Sequence, residues 1–229
     1  MHVRNTMLAA LAVATLALAA CEDPAANAPK ATVGSAKPVA TAAATAKPTA
    51  AATAEAAPTK PAGALALVPA DSKIEFTGSK VTGKHDGKFE KFDGWIALEG
   101  DKAESAKIYV EIDVASLKTD SEKLDGHLKT DDFFAVDKHP KAKFTSTEIK
   151  AGGEKGATHT ITGNLEMRGV TKSVTFPATV KLDDKEVTAK AEFAINRKEF
   201  GIAYEGKKDD LIRDDVVIKL DVKAPRAAK

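Results

Sequence analysis

His85, His127, His139 and His159 are the side chains beyond the amino-terminal stretch best suited to metal or proton chemistry. No two of them stand at the i, i+4 or short-loop spacing with which side chains close on a metal ion, so no metal site is predicted. The acidic pairs Asp131-Asp132, Asp209-Asp210 and Asp214-Asp215 hold enough carboxylates for general acid and base work. That work needs a shared pocket and a shifted pKa. These pairs fall instead in apparent loops, partly matched by Lys207, Lys208 and Arg213, and read as solvated charge. No serine occupies a G-x-S-x-G elbow, and no glycine-rich phosphate loop occurs. The residues assemble no catalytic set and no cofactor site, and the chain reads as a non-enzyme.

Cys21, the only cysteine, has a clearer chemistry. It follows an alanine-rich apolar run, Met7 to Ala20, behind a charged start with His2 and Arg4. A stretch of about 14 apolar residues with a small-residue exit has the form of a secretory signal over residues 1–20, and is too short to span a bilayer. Leu18-Ala19-Ala20-Cys21 resembles the bacterial lipoprotein processing box. That resemblance implies cleavage before Cys21, acylation of its sulfur and new amino terminus, and a periplasm-facing lipoprotein of the cell envelope in either the inner or the outer membrane. A small thiol ending an ordinary signal is the alternative. Within the chain a lone cysteine has no disulfide partner.

Residues 21–63 are almost wholly Ala, Pro, Thr and Lys. With no aromatics and no apolar period, the segment buries too little surface to offset its ordering entropy. Pro24, Pro29, Pro38, Pro48, Pro58 and Pro61 interrupt any helix that the alanines favour. A disordered tether is expected, averaging roughly 35 Å as a coil and reaching roughly 130 Å when extended. Its evenly spaced Lys30, Lys37, Lys47 and Lys60 read as solvated charge, with peptidoglycan or anionic headgroups as the partners to consider.

Residues 64–229 are long enough for one domain with a sizeable core. Across the whole chain 34 basic residues face 33 acidic ones, so no excess of positive charge is available for nucleic acid. Strict alternation over Ile108–Val114 marks a strand. The pattern returns over Val174–Val180, Val187–Ile195 and Val216–Val222, and more weakly over Ser72–Val81, Lys88–Glu99, Lys141–Lys150 and Thr158–Met167. Turns are expected at Asp86-Gly87, Glu99-Gly100, Gly152-Gly153, Arg168-Gly169 and Asp183-Asp184. Connections this short require antiparallel pairing.

Residues 119–129 break the pattern with one short helix, carrying a capping box at Thr119 and Glu122 and apolar Leu124 and Leu128 four apart. It leads to Phe133-Phe134, either a hydrophobic plug over a barrel end or a ligand gate. About eight antiparallel strands with one inward face are most economically closed into a barrel, which removes exposed edges. The inward face carries Ile74, Phe76, Phe92, Ile96, Ile108, Val110, Ile112, Leu165, Met167, Phe176 and Phe193, with no ionisable residue among them. A hollow lined this way takes an apolar molecule. Trp95 reads as a wall residue of the sheet.

Several blocks resemble the YceI-like family of periplasmic or secreted lipocalin-like barrels. They are Asp125-Gly126-His127-Leu128-Lys129, Asp132-Phe133-Phe134, His139-Pro140 through Phe144-Thr145-Ser146, Gly163-Asn164-Leu165, Arg168 to Lys172, Ile195-Asn196-Arg197 and Phe200-Gly201. They stand in family order across nearly all of the domain. Leu124 departs from the pattern, where the family often has Arg, as do Gly78-Ser79-Lys80 and Thr82 to His85 at the barrel mouth. The resemblance implies binding, sequestration or transport of a long, polyisoprenoid-like lipid, with Phe133, Phe134 and Phe200 joining the inward side chains around it. It also implies a structural hydrogen bond for His127 at the helix end. For Arg197 it implies a carboxylate partner or contact with a lipid head, and it admits a homodimer. About 40 heavy atoms at about 0.3 kcal/mol each supply roughly 12 kcal/mol of affinity, with discrimination by length and width. An enzyme acting on such a lipid and a solidly packed structural or stress module are the alternatives.

Overall fold

The computed structural model describes residues 23–39 and 57–226, so the expected signal peptide, Cys21 and residues 40–56 of the expected tether lie outside it. The strands are β1 (Thr32–Ser35), β2 (Leu65–Leu67), β3 (Lys73–Lys80), β4 (Gly83–Phe89), β5 (Phe92–Ala97), β6 (Lys107–Asp113) and β7 (Leu117–Thr119). After the helix α1 (Glu122–Leu128) come β8 (Lys141–Ala151), β9 (His159–Met167), β10 (Val170–Leu182) and β11 (Glu186–Asn196). A small hairpin of β12 (Gly206–Lys207) and β13 (Asp210–Leu211) precedes β14 (Asp215–Pro225).

Side-chain alternation sets the strands as expected. In β6, Ile108, Val110 and Ile112 join the inner clusters, while outward Tyr109 donates from its hydroxyl to Glu111 at 3.2 Å. Trp95 also faces outward, buried beside Tyr109 with 5.9 Å between ring centroids. Neighbours pair in the order β2-β5-β6-β8-β9-β10-β11-β14-β3-β4-β7. The chain itself joins the two ends of this path, since β4 runs into β5 across Glu90-Lys91 and β6 runs into β7 across Val114–Ser116. The bend is fixed by Glu90 N–H donating to the Ser116 carbonyl at 3.2 Å and Asp113 N–H to the Lys91 carbonyl at 2.9 Å. Taken as bent ribbons, β4/β5 and β6/β7 join β3, β8, β9, β10, β11 and β14 in an eight-ribbon antiparallel barrel.

Three local expectations are corrected. The strand expected over Lys88–Glu99 is broken at Glu90-Lys91, and its first part begins at Gly83. Asp86-Gly87 is not a turn but the middle of β4 opposite Thr77 and Phe76. A Cβ at Gly87 would stand 2.3 Å from the Phe76 ring, so glycine is there to seat that ring. The helix is capped by Ser121 without a side-chain bond, in place of the capping box. The pin is the buried carboxylate of Asp125, which accepts from Thr119 N–H at 2.6 Å and from the Thr119 hydroxyl at 2.7 Å. That hydroxyl, more than nearby Lys118, holds the Asp125 carboxyl below the usual carboxylate range.

The largest difference concerns the tether. β10 and β11 pair only over Thr179–Leu182 and Val187–Lys190, and beyond that they part. Residues 29–35 fill the gap. Ala194 N–H donates to the Pro29 carbonyl and Ala31 N–H to the Ala194 carbonyl, both at 2.8 Å, and β1 then pairs antiparallel with Lys172–Thr175 of β10. Ala25 and Ala28 lie buried against Ala194 and Val217. Asn164 closes the strap by exchanging bonds of 2.9 and 2.6 Å with the Lys37 backbone. An open seam offers unpaired backbone groups, and pairing there offsets an ordering cost that the segment's side chains alone do not meet.

Candidate functional site

A cavity of about 330 Å³ lies beneath α1, at the end of the barrel called upper here. Its walls are Phe76 and Gly78 of β3, His85 and Phe89 of β4, Met167 of β9, Ile195 of β11, and Val216 and Ile218 of β14. Leu124 and Leu128 of α1 cover it with Phe133 and Phe134, while Ile202, Ile212, Arg197 and Arg213 approach from the segment before β14. Rings step down one side, with Phe134 edge-on to Phe89 at 6.2 Å and Phe89 tilted on Phe76 at 5.6 Å. The Phe133-Phe134 pair is thus both plug and ceiling.

Of the residues expected around a ligand, Phe76, Phe133, Phe134, Met167 and Arg197 line this cavity. Ile74, Phe92, Ile96 and Val110 pack lower, in a cluster closed by Leu67 and Ala224. Phe176 and Phe193 stack at 4.2 Å between centroids and share a cluster with the fully buried Phe200. Those seven side chains fill space here, because rings and branches from facing ribbons meet one another. Ile108, Ile112 and Leu165 also face inward but keep accessible surface, as do Ile218 and Leu220. Ile195, Val216 and Ile218 were visible in the sequence as strand alternation without being singled out for the ligand. Ile202 and Ile212 come from a segment with no apolar period, and only the fold brings them in.

The charged groups at the cavity have partners. Lys80 is paired with Asp210, His85 Nδ1 lies 2.7 Å from Asp120, and Arg213 Nη1 is 3.2 Å from Asp23. Arg197, 4% exposed, donates to three backbone carbonyls: Ile202 at 2.7 Å, Arg213 at 3.0 Å and Ile212 at 3.3 Å. A carboxylate is expected beside it, and Asp214 stands there at 3.5 Å, secondary to these carbonyls. Burial draws the Arg197 pKa down, opposed by Asp214 and Glu205. His127 lies outside the lining, edge-on to Phe133 at 5.0 Å and Tyr204 at 5.1 Å. Its hydrogen-bond partner at the helix end is Asp132, at 3.0 Å.

The acidic pairs are bound elsewhere than Lys207 and Lys208. Asp131 is paired with Lys138 at 2.6 Å, Asp214 with Lys198 at 3.0 Å and Asp215 with Lys30 at 2.7 Å. Lys138 and Lys80 hold the Asp131 and Asp210 carboxyls, respectively, below their usual range. Among the described residues no three His, Cys, Asp or Glu side chains gather as a metal site. Arg168, at positive φ beside Gly169, staples the cover by donating to the carbonyls of Asp131 and Gly201. The arrangement is an apolar chamber with a polar frame whose charged side chains each meet a protein group, while Ser79 Oγ and Arg213 Nε are buried without a hydrogen-bond partner among the described residues.

Comparison with known proteins places this architecture. A UPF0312 protein of Pseudomonas putida (strain GB-1) is 37% identical over 139 residues, which is 58% of this chain and 71% of the relative. The solved structure of Burkholderia cenocepacia BcnA is 26% identical with a TM-score of 0.62, over 69% of this chain and 99% of that one. A polyisoprenoid binding domain from Saccharophagus degradans, at 15% identity and a TM-score of 0.56 over 72% of this chain and 99% of that one, is alike in fold. The YceI-like domain model matches residues 65–224, and the chain belongs to the YceI-like family.

Proposed function

We propose that the barrel binds a long apolar lipid, isoprenoid-like in shape, and that the protein does so at the cell envelope, held by acylated Cys21. One observation carries the reading: an apolar chamber beneath α1 whose bordering Lys80, His85, Arg197 and Arg213 each meet a protein partner, with Ser79 Oγ and Arg213 Nε left buried without one among the described residues. Such a chamber gains affinity from area and length and has little to offer a polar substrate. At about 330 Å³ it is near the small end of ligand sites, roughly 300–1,000 Å³. A longer chain extends past Ile218 toward the partly buried Ile108, Leu165 and Leu220, which pack on the Phe176–Phe193 cluster and must shift to admit it.

Native mass spectrometry of protein purified from its own membranes tests this. A retained lipid mass is the expected result, with affinity for added isoprenols rising about fourfold per methylene until the interior is filled. Protein that arrives empty and takes up no hydrophobic probe overturns it. Repeated turnover of an added lipid would make the protein an enzyme instead.

A further inference from the structure

The amino-terminal strap ends beside the cavity. Asp23 is clamped by Arg213, whose backbone N–H donates to the Ser79 carbonyl at 2.9 Å. Asp23, Leu211 and Arg213 line one shallow crevice of about 370 Å³. Asp23 stands two positions after Cys21, a reach of roughly 7 Å. Next to the crevice are two exposed large apolar side chains, Val81 at 55% and Leu211 at 47%, joined by Val81 N–H donating to the Leu211 carbonyl at 3.1 Å. The exposed Lys84, Lys207 and Lys208 flank them, against the exposed carboxylates of Glu205 and Asp209.

We propose that this face is a membrane-docking surface, with Val81 and Leu211 inserted among lipid headgroups, the flanking lysines on lipid phosphates, and the cavity rim turned to the bilayer. The proposal rests on the lipid-binding, acylated reading given above and deepens it. With Asp23 held by Arg213, beside the β3–β4 tip, an acyl anchor two positions earlier is expected to enter the bilayer near Val81 and Leu211. Exposed apolar tips with lysines beside them suit an interface of hydrocarbon and headgroup, and the neighbouring Glu205 and Asp209 temper its preference for anionic lipid.

The test uses the acylated full-length mature protein in vesicles of phosphatidylethanolamine and phosphatidylglycerol, treated with a water-soluble amine reagent. Lys84, Lys207 and Lys208 are expected to label at least fivefold more slowly than in detergent, while Lys150 and Lys185 at the far end keep their rate. In the double variant Val81→Asp/Leu211→Asp the protection is lost, and an unchanged melting temperature shows that the fold is intact. Equal labelling at both ends, or protection that survives the double variant, overturns the docking surface. The mass of the amino-terminal peptide and the retained lipid are measured on the same sample, so failure of the envelope reading is distinguished from failure of this one.

Discussion

At its lower end the barrel closes with its own strands: β2 lies along β5, Leu67 is 1% exposed against Ala224 at 0%, and above them Phe176 stacks on Phe193. At the upper end closure comes from segments laid across the strands, α1 with Phe133-Phe134 on one side and residues 202–213 on the other. These segments are held both by an apolar cluster, in which Leu128, Phe133 and Ile202 are buried with Phe76, Leu117 and Ala142, and by polar pins: Asp125 to Thr119, Arg197 to three carbonyls, Arg168 to two more. Side chains of facing ribbons can interlock and leave no room. A lid that packs on the sheet at some points and is pinned by hydrogen bonds at others does not interlock along its whole length, and the cavity is the space left beneath it. Stability and ligand capacity are therefore expected to separate along the barrel axis.

The first way to break that comparison is Phe193→Ala. It removes one ring of the stack, and a loss of about 3–5 kcal/mol in urea unfolding is expected. Should the interior collapse without such a loss, the middle of the barrel is not the packed part. The second is Asp125→Ala, which leaves the Thr119 N–H and hydroxyl without their acceptor and is expected to cost about 1–3 kcal/mol. Because the folded carboxyl titrates below its ordinary value, its contribution is present above about pH 4 and fades as pH falls through the folded pKa. The stability difference between wild type and variant should accordingly be flat near neutrality and shrink in acid. The smallest stability effect, about 1 kcal/mol, is expected for Gly87→Ala, whose methyl group displaces the Phe76 ring into the cavity. Its signature is instead a roughly tenfold weaker uptake of a fluorescent apolar probe, a separation that neither other variant should show.

Much of the sheet was legible because alternation is a local property. β6, β8, β9 and β14 fall within a few residues of their expected bounds, as does the turn at Arg168-Gly169. What was illegible depends on partners far away. Glu90-Lys91 bends because Ser116 and Asp113 meet it across the sheet. Alternation places Phe76 and Phe193 on one inner face but does not say which ring borders empty space. The strap is held largely by backbone bonds and by the small faces of Ala25 and Ala28, features that leave no trace in a composition reading as coil.

That strap has a consequence in time. Lys37 meets Asn164, 127 positions later, and β1 meets Lys172–Thr175, so this segment finds its berth only after most of the sheet has been made. Contacts of such sequence separation form late, since a long loop must close before they return any energy. The slot between β10 and β11 is thus sealed last, and until then two unprotected strand edges are open to any other extended peptide nearby.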